Sequence, residues 1–85
     1  MKKKRDLLQV YSEVLKELHK NPMRITHIMR KCNLDTRMTK QVIGTLTLKG
    51  LIAIKNEGNY KLYYITEKGV KFLELYEALQ ELLKK

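Results

Sequence analysis

The sequence predicts an α+β fold that is mostly helical, and three observations carry that prediction. Apolar residues recur at three- and four-residue spacing in four separate stretches. Between the third and the fourth, two short runs rich in β-branched and aromatic residues flank a polar loop containing Gly58. Basic charge gathers in the middle of the chain and acidic charge in its last stretch.

The first helix is expected over residues 6–20, with Leu7, Tyr11, Val14, Leu15 and Leu18 on its inner face. Asp6 caps it, and His19 and Lys20 suit the negative end of its dipole. Asn21-Pro22 stops it, because proline disfavours helix at the residue before it. A second helix spans residues 24–32, with Ile25, Ile28, Met29 and Cys32 buried and Arg24, His27, Arg30 and Lys31 outward or at the edges. Asn33-Leu34-Asp35 is a tight turn in which Leu34 plugs the core.

Residues 35–50 form the third helix, capped by Asp35 and ended by Gly50. Met38, Thr39, Val42, Ile43 and Leu46 collect on one face. The other face carries Thr36, Arg37, Lys40, Gln41, Gly44, Thr47 and Leu48, with no carboxylate among them. Solvated helix faces usually mix Glu with Lys; short hydroxyls, an amide and two cations suit phosphates and base edges. Strands are expected over residues 51–55 and 60–65, with residues 56–59 as the loop and Gly58 where positive φ is needed. Tyr60, Tyr63 and Tyr64 are expected to pack the hairpin and the core, ahead of stacking on unpaired bases.

The longest helix follows over residues 66–84, with Thr66 as its cap and Gly69 weakening its first turn. Phe72, Leu75, Leu79 and Leu82 are spaced three, four and three, as in a coiled-coil seam, with Tyr76 and Leu83 beside them. Val70 and Leu73 point the other way. One helix cannot bury both faces, so Val70 and Leu73 are expected on the domain and the seam on a second copy. The alternative is a monomer in which this helix packs on the first.

The order helix, helix, turn, helix, hairpin makes a helix-turn-helix followed by a wing. Residues 1–5 form a basic arm, residues 6–65 the winged domain and residues 66–85 a dimerisation helix. The arm serves either as an extra phosphate contact or as a solubilising terminus.

With 85 residues and a net charge of +9, the chain is one small domain whose surface calls for a polyanion. From Lys20 to Ile65 nine Lys/Arg stand against two acids, a balance of +7, while Glu67, Glu74, Glu77 and Glu81 fall in the last helix. The solitary Cys32 forms no intrachain disulfide and is expected to be a small buried hydrophobe. No apolar run spans a bilayer, and charged residues interrupt the stretch where a signal peptide would need its apolar region. An intracellular, cytoplasmic protein in contact with the nucleoid is therefore expected. No zinc spacing, phosphate loop or nucleophile elbow occurs, so neither a cofactor nor an enzyme activity is expected.

RITHIMRKCNL, LTLKGLI and YYITEKGVKFLELYEAL look like archaeal winged-helix regulators, a group that includes the ten-kilodalton nucleoid proteins of Sulfolobus. The resemblance runs from about Leu7 to Leu83. The Lys49-Gly50-Leu51-Ile52 exit and the Ile65-Thr66-Glu67-Lys68-Gly69 entry are its most specific pieces. It implies a homodimer joined by an antiparallel coiled coil of the last helices, and DNA binding by the third helix and the wing. The chain departs from the group in a shorter terminal helix and in Gly44. That glycine either lets a neighbouring backbone approach closely, from DNA or another helix, or is simply tolerated.

The expected function is sequence-specific binding of double-stranded DNA by a homodimeric transcriptional regulator. Arg37, Lys40, Gln41 and Gly44 face base edges or phosphates. Arg24, Thr26 and Thr36 clamp the backbone, His27 lies near the phosphates, and Lys55, Asn59 and Lys61 sit on the wing. Two other classes stay open: a nucleoid-coating protein with little sequence preference, and a protein-interaction adaptor, which outward-facing Leu48 would favour. A membrane-surface role is the weakest, because the cations are spread over a folded module.

Overall fold

A computed structural model describes residues 5–84, in the order α1 (Leu7–Lys20), α2 (Ile25–Lys31), α3 (Thr36–Leu48), β1 (Ile52–Glu57), β2 (Tyr60–Ile65) and α4 (Glu67–Leu83). The first four residues of the basic arm and the last of the expected dimerisation helix lie outside the described residues.

Local chemistry sets the helix starts. The Asp6 carboxylate accepts from the Gln9 N–H at 2.8 Å, and that of Asp35 from the Met38 N–H at 2.7 Å. Each satisfies a donor that the helix itself cannot, which typically contributes about 1 kcal/mol. The turn between α2 and α3 needs a left-handed residue, and Asn33 supplies it at φ 54°. Arg5 closes the other side of this turn, donating to the carbonyl oxygens of Cys32 at 2.9 Å and Asn33 at 3.1 Å while pairing with Glu13. It is thus bound to the carbonyl end of α2 and is not a free phosphate contact.

The core is built from Val10, Val14, Leu15 and Leu18 of α1, Ile28 and Cys32, Val42, Ile43 and Leu46 of α3, and Leu51, Ile52, Tyr63 and Leu73. Leu34 packs against it as expected, and buried Thr39 returns its hydroxyl to the Asp35 carbonyl at 2.7 Å. Two expectations for α1 change. Leu7 is 46% exposed, and Val10 takes the buried place, because the inner stripe is rotated toward residues 10, 14 and 18.

Burial raises the Cys32 thiol from 9.0 to about 11, with Glu17 and Glu13 adding to the rise and Arg5 opposing it. Below both values, two pKa units mean roughly a hundredfold less thiolate than in the unfolded chain. Iodoacetamide at pH 8 is therefore expected to label the native chain at least that much more slowly than the urea-unfolded chain. Equal rates would show that Cys32 is accessible. The native thiol also keeps its proton while the unfolded one loses it. This group accordingly makes stability fall as pH rises from 9.0 toward 11.

β1 and β2 pair antiparallel with Glu57 opposite Tyr60, so the connection is the two residues Gly58-Asn59 and not the four-residue loop expected. Gly58 takes φ 58°, while Asn59 stays out of the positive region. That is the pattern of a tight hairpin with glycine at its first central position. Backbone bonds between Met23 and Tyr63, at 3.0 and 2.9 Å, tie β2 to the segment ahead of α2. Only Tyr63 of the three hairpin tyrosines is buried; Tyr60 and Tyr64 are 46% and 38% exposed, against expectation, because they lie on the side of the hairpin away from α3.

α4 returns across α1. Leu73 is buried beneath it, and Phe72 also packs on the core. Phe72, expected in the seam with a second copy, shares a helix face with Leu75 and Leu79 but is itself partly buried against the core of its own chain. Leu75, Leu79, Leu82 and Leu83 remain 50–76% exposed, and Tyr76 is half-buried beside α1. Among the described residues, no helix is long and apolar enough to cross a membrane.

Candidate nucleic-acid interface

α3 is amphipathic because its two faces were given different chemistry, and the domain buries only one. Val42 and Leu46 are sealed against α1 and α2, which leaves Thr36, Arg37, Lys40, Gln41, Gly44 and Leu48 exposed. One stripe therefore holds all six. Its single nearby acid, Asp35, is engaged by the Met38 N–H. Among the described residues, neither Arg37 nor Lys40 forms a salt bridge. The two cations thus stand on an acid-free surface, with their charge available to an anion.

Gly44 has no atom of another element within 4 Å of where a Cβ would sit. Close packing on a neighbouring helix is thereby excluded as its reason. Thr36, at the N-terminus of α3, has its hydroxyl 3.7 Å from the Met29 sulfur, a weak partner that leaves its oxygen open as an acceptor. Thr47 was expected outward but is half-buried; its hydroxyl oxygen is enclosed without a hydrogen-bond partner.

Arg24 and Thr26 are both exposed at the start of α2. Arg24 does not stand free: its guanidinium lies over the Tyr60 ring, 4.8 Å from the centroid. At a surface such a contact contributes about 0.5–1 kcal/mol and holds the planar group in place. His27 is exposed beside it, lining a cavity of about 290 Å³ with Met23, Arg30 and Lys31.

The wing residues are not brought together. Lys55 pairs with Leu62 and Lys61 with Asn56, so the two lysines fall on opposite faces of the pleat. Lys61 shares its face with Ile54 and Tyr63, toward α3. Lys55 is on the far face, 3.4 Å from Glu57, in an exposed ion pair. Asn59 is exposed at the tip. The shorter turn slides the pairing by two residues, which changes the cross-strand partners of these lysines but not the faces they occupy.

Between α3 and the wing lies an apolar groove of about 480 Å³. Ile25, Ile43, Gly44, Leu48, Ile54 and Tyr63 line it, with Lys40 at its edge. Outward Leu48, 85% exposed, was its one visible signal.

Residues 4–84 match the family model described as winged helix-turn-helix. No curated protein matches the chain in sequence. Its fold is similar to that of Sso10a-2, a DNA-binding protein from Sulfolobus solfataricus, at TM-score 0.83 and 21% identity, over 94% of this chain and 83% of that one. It is also similar to AF1382 from Archaeoglobus fulgidus, at TM-score 0.74 and 20% identity, over 93% and 88% of the two chains. A third similar structure is the homodimeric winged helix-turn-helix DNA-binding domain of Mb0332 from Mycobacterium bovis. There the TM-score is 0.76 and the identity 16%, over 89% and 71% of the two chains. A helix-turn-helix with a pinned two-stranded wing, matched by the family model over almost its whole length, places the chain in the winged helix-turn-helix family.

Proposed function

We propose that the chain is a double-stranded DNA-binding transcriptional regulator that acts as a homodimer. The observation that carries this reading is the exposed, acid-free face of α3, on which Thr36, Arg37, Lys40 and Gln41 form one stripe. Its shape and charge fit the major groove, where such side chains meet base edges and phosphates. Arg24 and Thr26 approach the DNA backbone from the start of α2. Lys61 and Asn59 approach it from the wing, with Lys55 on the wing's far face. Residues 6–65 are the reading module and residues 66–85 the dimerisation helix, with Leu75, Leu79, Leu82 and Leu83 as the joining surface. The printed descriptions of Sso10a-2 as DNA-binding, and of the Mb0332 domain as homodimeric and DNA-binding, are in line with this reading.

The test is selection from random duplex DNA, followed by titration at several salt concentrations. Enrichment of one motif with two spaced half-sites is expected. Salt-sensitive binding with no enriched motif would reassign the chain to sequence-tolerant DNA coating. Absence of binding at low salt would end the DNA reading. Lys40→Ala is expected to weaken binding to all duplexes and to lower the salt slope by about one unit. An unchanged slope and affinity would remove Lys40 from the interface.

A further inference from the structure

We propose that the C-terminal half of the α3 face, with the wing residue beside it, reads the methyl groups of thymine. The inference rests on the proposed DNA binding and names what part of the target the apolar groove takes. Along one stripe of α3 the chemistry changes. Arg37, Lys40 and Gln41 are polar, whereas Gly44 and Leu48, one and two turns further on, are not. Leu48 is 85% exposed, and Ile54 of β1, on the opposite wall of the groove, is 41% exposed. Thr47 adds to the apolar wall, because its hydroxyl oxygen is turned inward and enclosed, leaving its methyl as the part able to face the groove.

Two features select DNA as the occupant. The first is continuity: Lys40 belongs both to the basic stripe and to the groove's edge. From Gln41 to Leu48 is seven residues, about 10.5 Å along a helix axis, or about three base-pair steps. A helix in the major groove with Gln41 at one base pair thus brings Leu48 to the edge of another about three steps away. The second is charge. The wing face toward the groove carries Asn56 and Lys61 and no acid, since Glu57 lies on the other face. An apolar floor with cationic and neutral edges suits a polyanion that exposes methyl groups. Thymine exposes its 5-methyl group only in the major groove, where apolar side chains read it. Gly44 leaves open space between the polar and apolar halves, so nothing on the helix keeps the base edges away.

The experiment uses the full chain and a thymine-rich duplex, set against copies in which thymines are replaced by deoxyuridine. Deoxyuridine pairs identically but lacks the methyl group. Each methyl covered by Leu48 or Ile54 is expected to strengthen binding roughly fourfold, so wild-type affinity falls by that factor at each contacted position. Leu48→Ala, at a site too exposed to affect folding, is expected to bind both duplexes alike where Leu48 made the contact, with its salt slope unchanged. Wild-type binding that is indifferent to every uridine substitution would overturn the inference and leave the DNA function standing. Undiminished uridine discrimination in Leu48→Ala would also overturn the role given to Leu48. Failure to bind any duplex would reject the proposed function itself.

Discussion

Gly69→Ala is expected to lower the stability of the chain by about 3 kcal/mol, the upper end of what overpacking costs. Helix propensity alone points the other way, since alanine is favoured over glycine inside a helix by about 1 kcal/mol. The surroundings decide. An added Cβ at Gly69 would lie 2.2 Å from the Leu51 carbonyl oxygen and 2.6 Å from Cγ1 of Ile65. The first of these is backbone and cannot swing aside. α4 would have to move away from the end of α3, and several bonds go with it. The Thr66 hydroxyl lies 2.7 and 3.0 Å from the carbonyl oxygens of Gly50 and Leu51 and accepts from the Gly69 N–H at 3.1 Å. The Lys68 ammonium donates to the Lys49 carbonyl at 2.8 Å, closing the carbonyl end of α3. Urea denaturation of the variant measures the loss. Gly44→Ala is the control, because an added Cβ there meets nothing within 4 Å. It should raise stability by up to about 1 kcal/mol. If Gly69→Ala were as stable as the wild type, α4 would be free to slide along the domain without cost.

This pair of glycines shows what the sequence carries and what it withholds. Propensity treats them alike, and the sequence suggests close backbone approach for Gly44 alone, yet Gly44 is open and Gly69 is the crowded one. Only the approach of α4 to Leu51, a contact between distant parts of the chain, separates them. The caps Asp6, Asp35 and Thr66 were legible because capping is decided within three residues. The exposed stripe of α3 was legible because helical period and residue type together fix which face the core rejects. The wing was harder. The four-residue loop read from the sequence would put Lys55 opposite Tyr60, whereas Glu57 takes that place. A slip of two residues keeps each side chain on its face, so Lys55 and Lys61 fall on opposite faces in either register and only their cross-strand partners change. Arg5 belongs to a basic run in the sequence, yet it pairs with Glu13 and with the carbonyls of Cys32 and Asn33, the latter 27 and 28 residues away. The groove between α3 and the wing was invisible for the same reason: α3 supplies most of its wall, but Ile25 of α2, Ile54 of β1 and Tyr63 of β2 complete it.

Leu79→Glu combined with Leu82→Glu is expected to convert the proposed dimer to a single chain of 10.1 kDa in sedimentation equilibrium. In the folded chain these leucines, with Leu75 and Leu83, are 50–76% exposed on α4, while Leu73 and Phe72, nearer its start, hold it to the core. Substituting them therefore removes little from the monomer, and its helical content should persist. In a two-fold interface each added carboxylate faces its own copy or a neighbour of it. Glu74, Glu77 and Glu81 already lie on α4, so the new charges add to an acidic helix with few cations to offset them. Phe72→Ala separates the two roles of the helix. It should cost about 3 kcal/mol of stability by opening the core, yet leave the mass of any folded chain unchanged. The DNA readout follows from linkage between half-sites. Joining two reading modules makes the second contact intramolecular, which multiplies affinity by 10² to 10⁴ at most. The double variant should lose that factor on a duplex with two half-sites and bind a single half-site as the wild type does. If it still sedimented as two chains, the joining surface would lie elsewhere, with half-exposed Leu7 and Leu8 of α1 the next apolar residues to substitute.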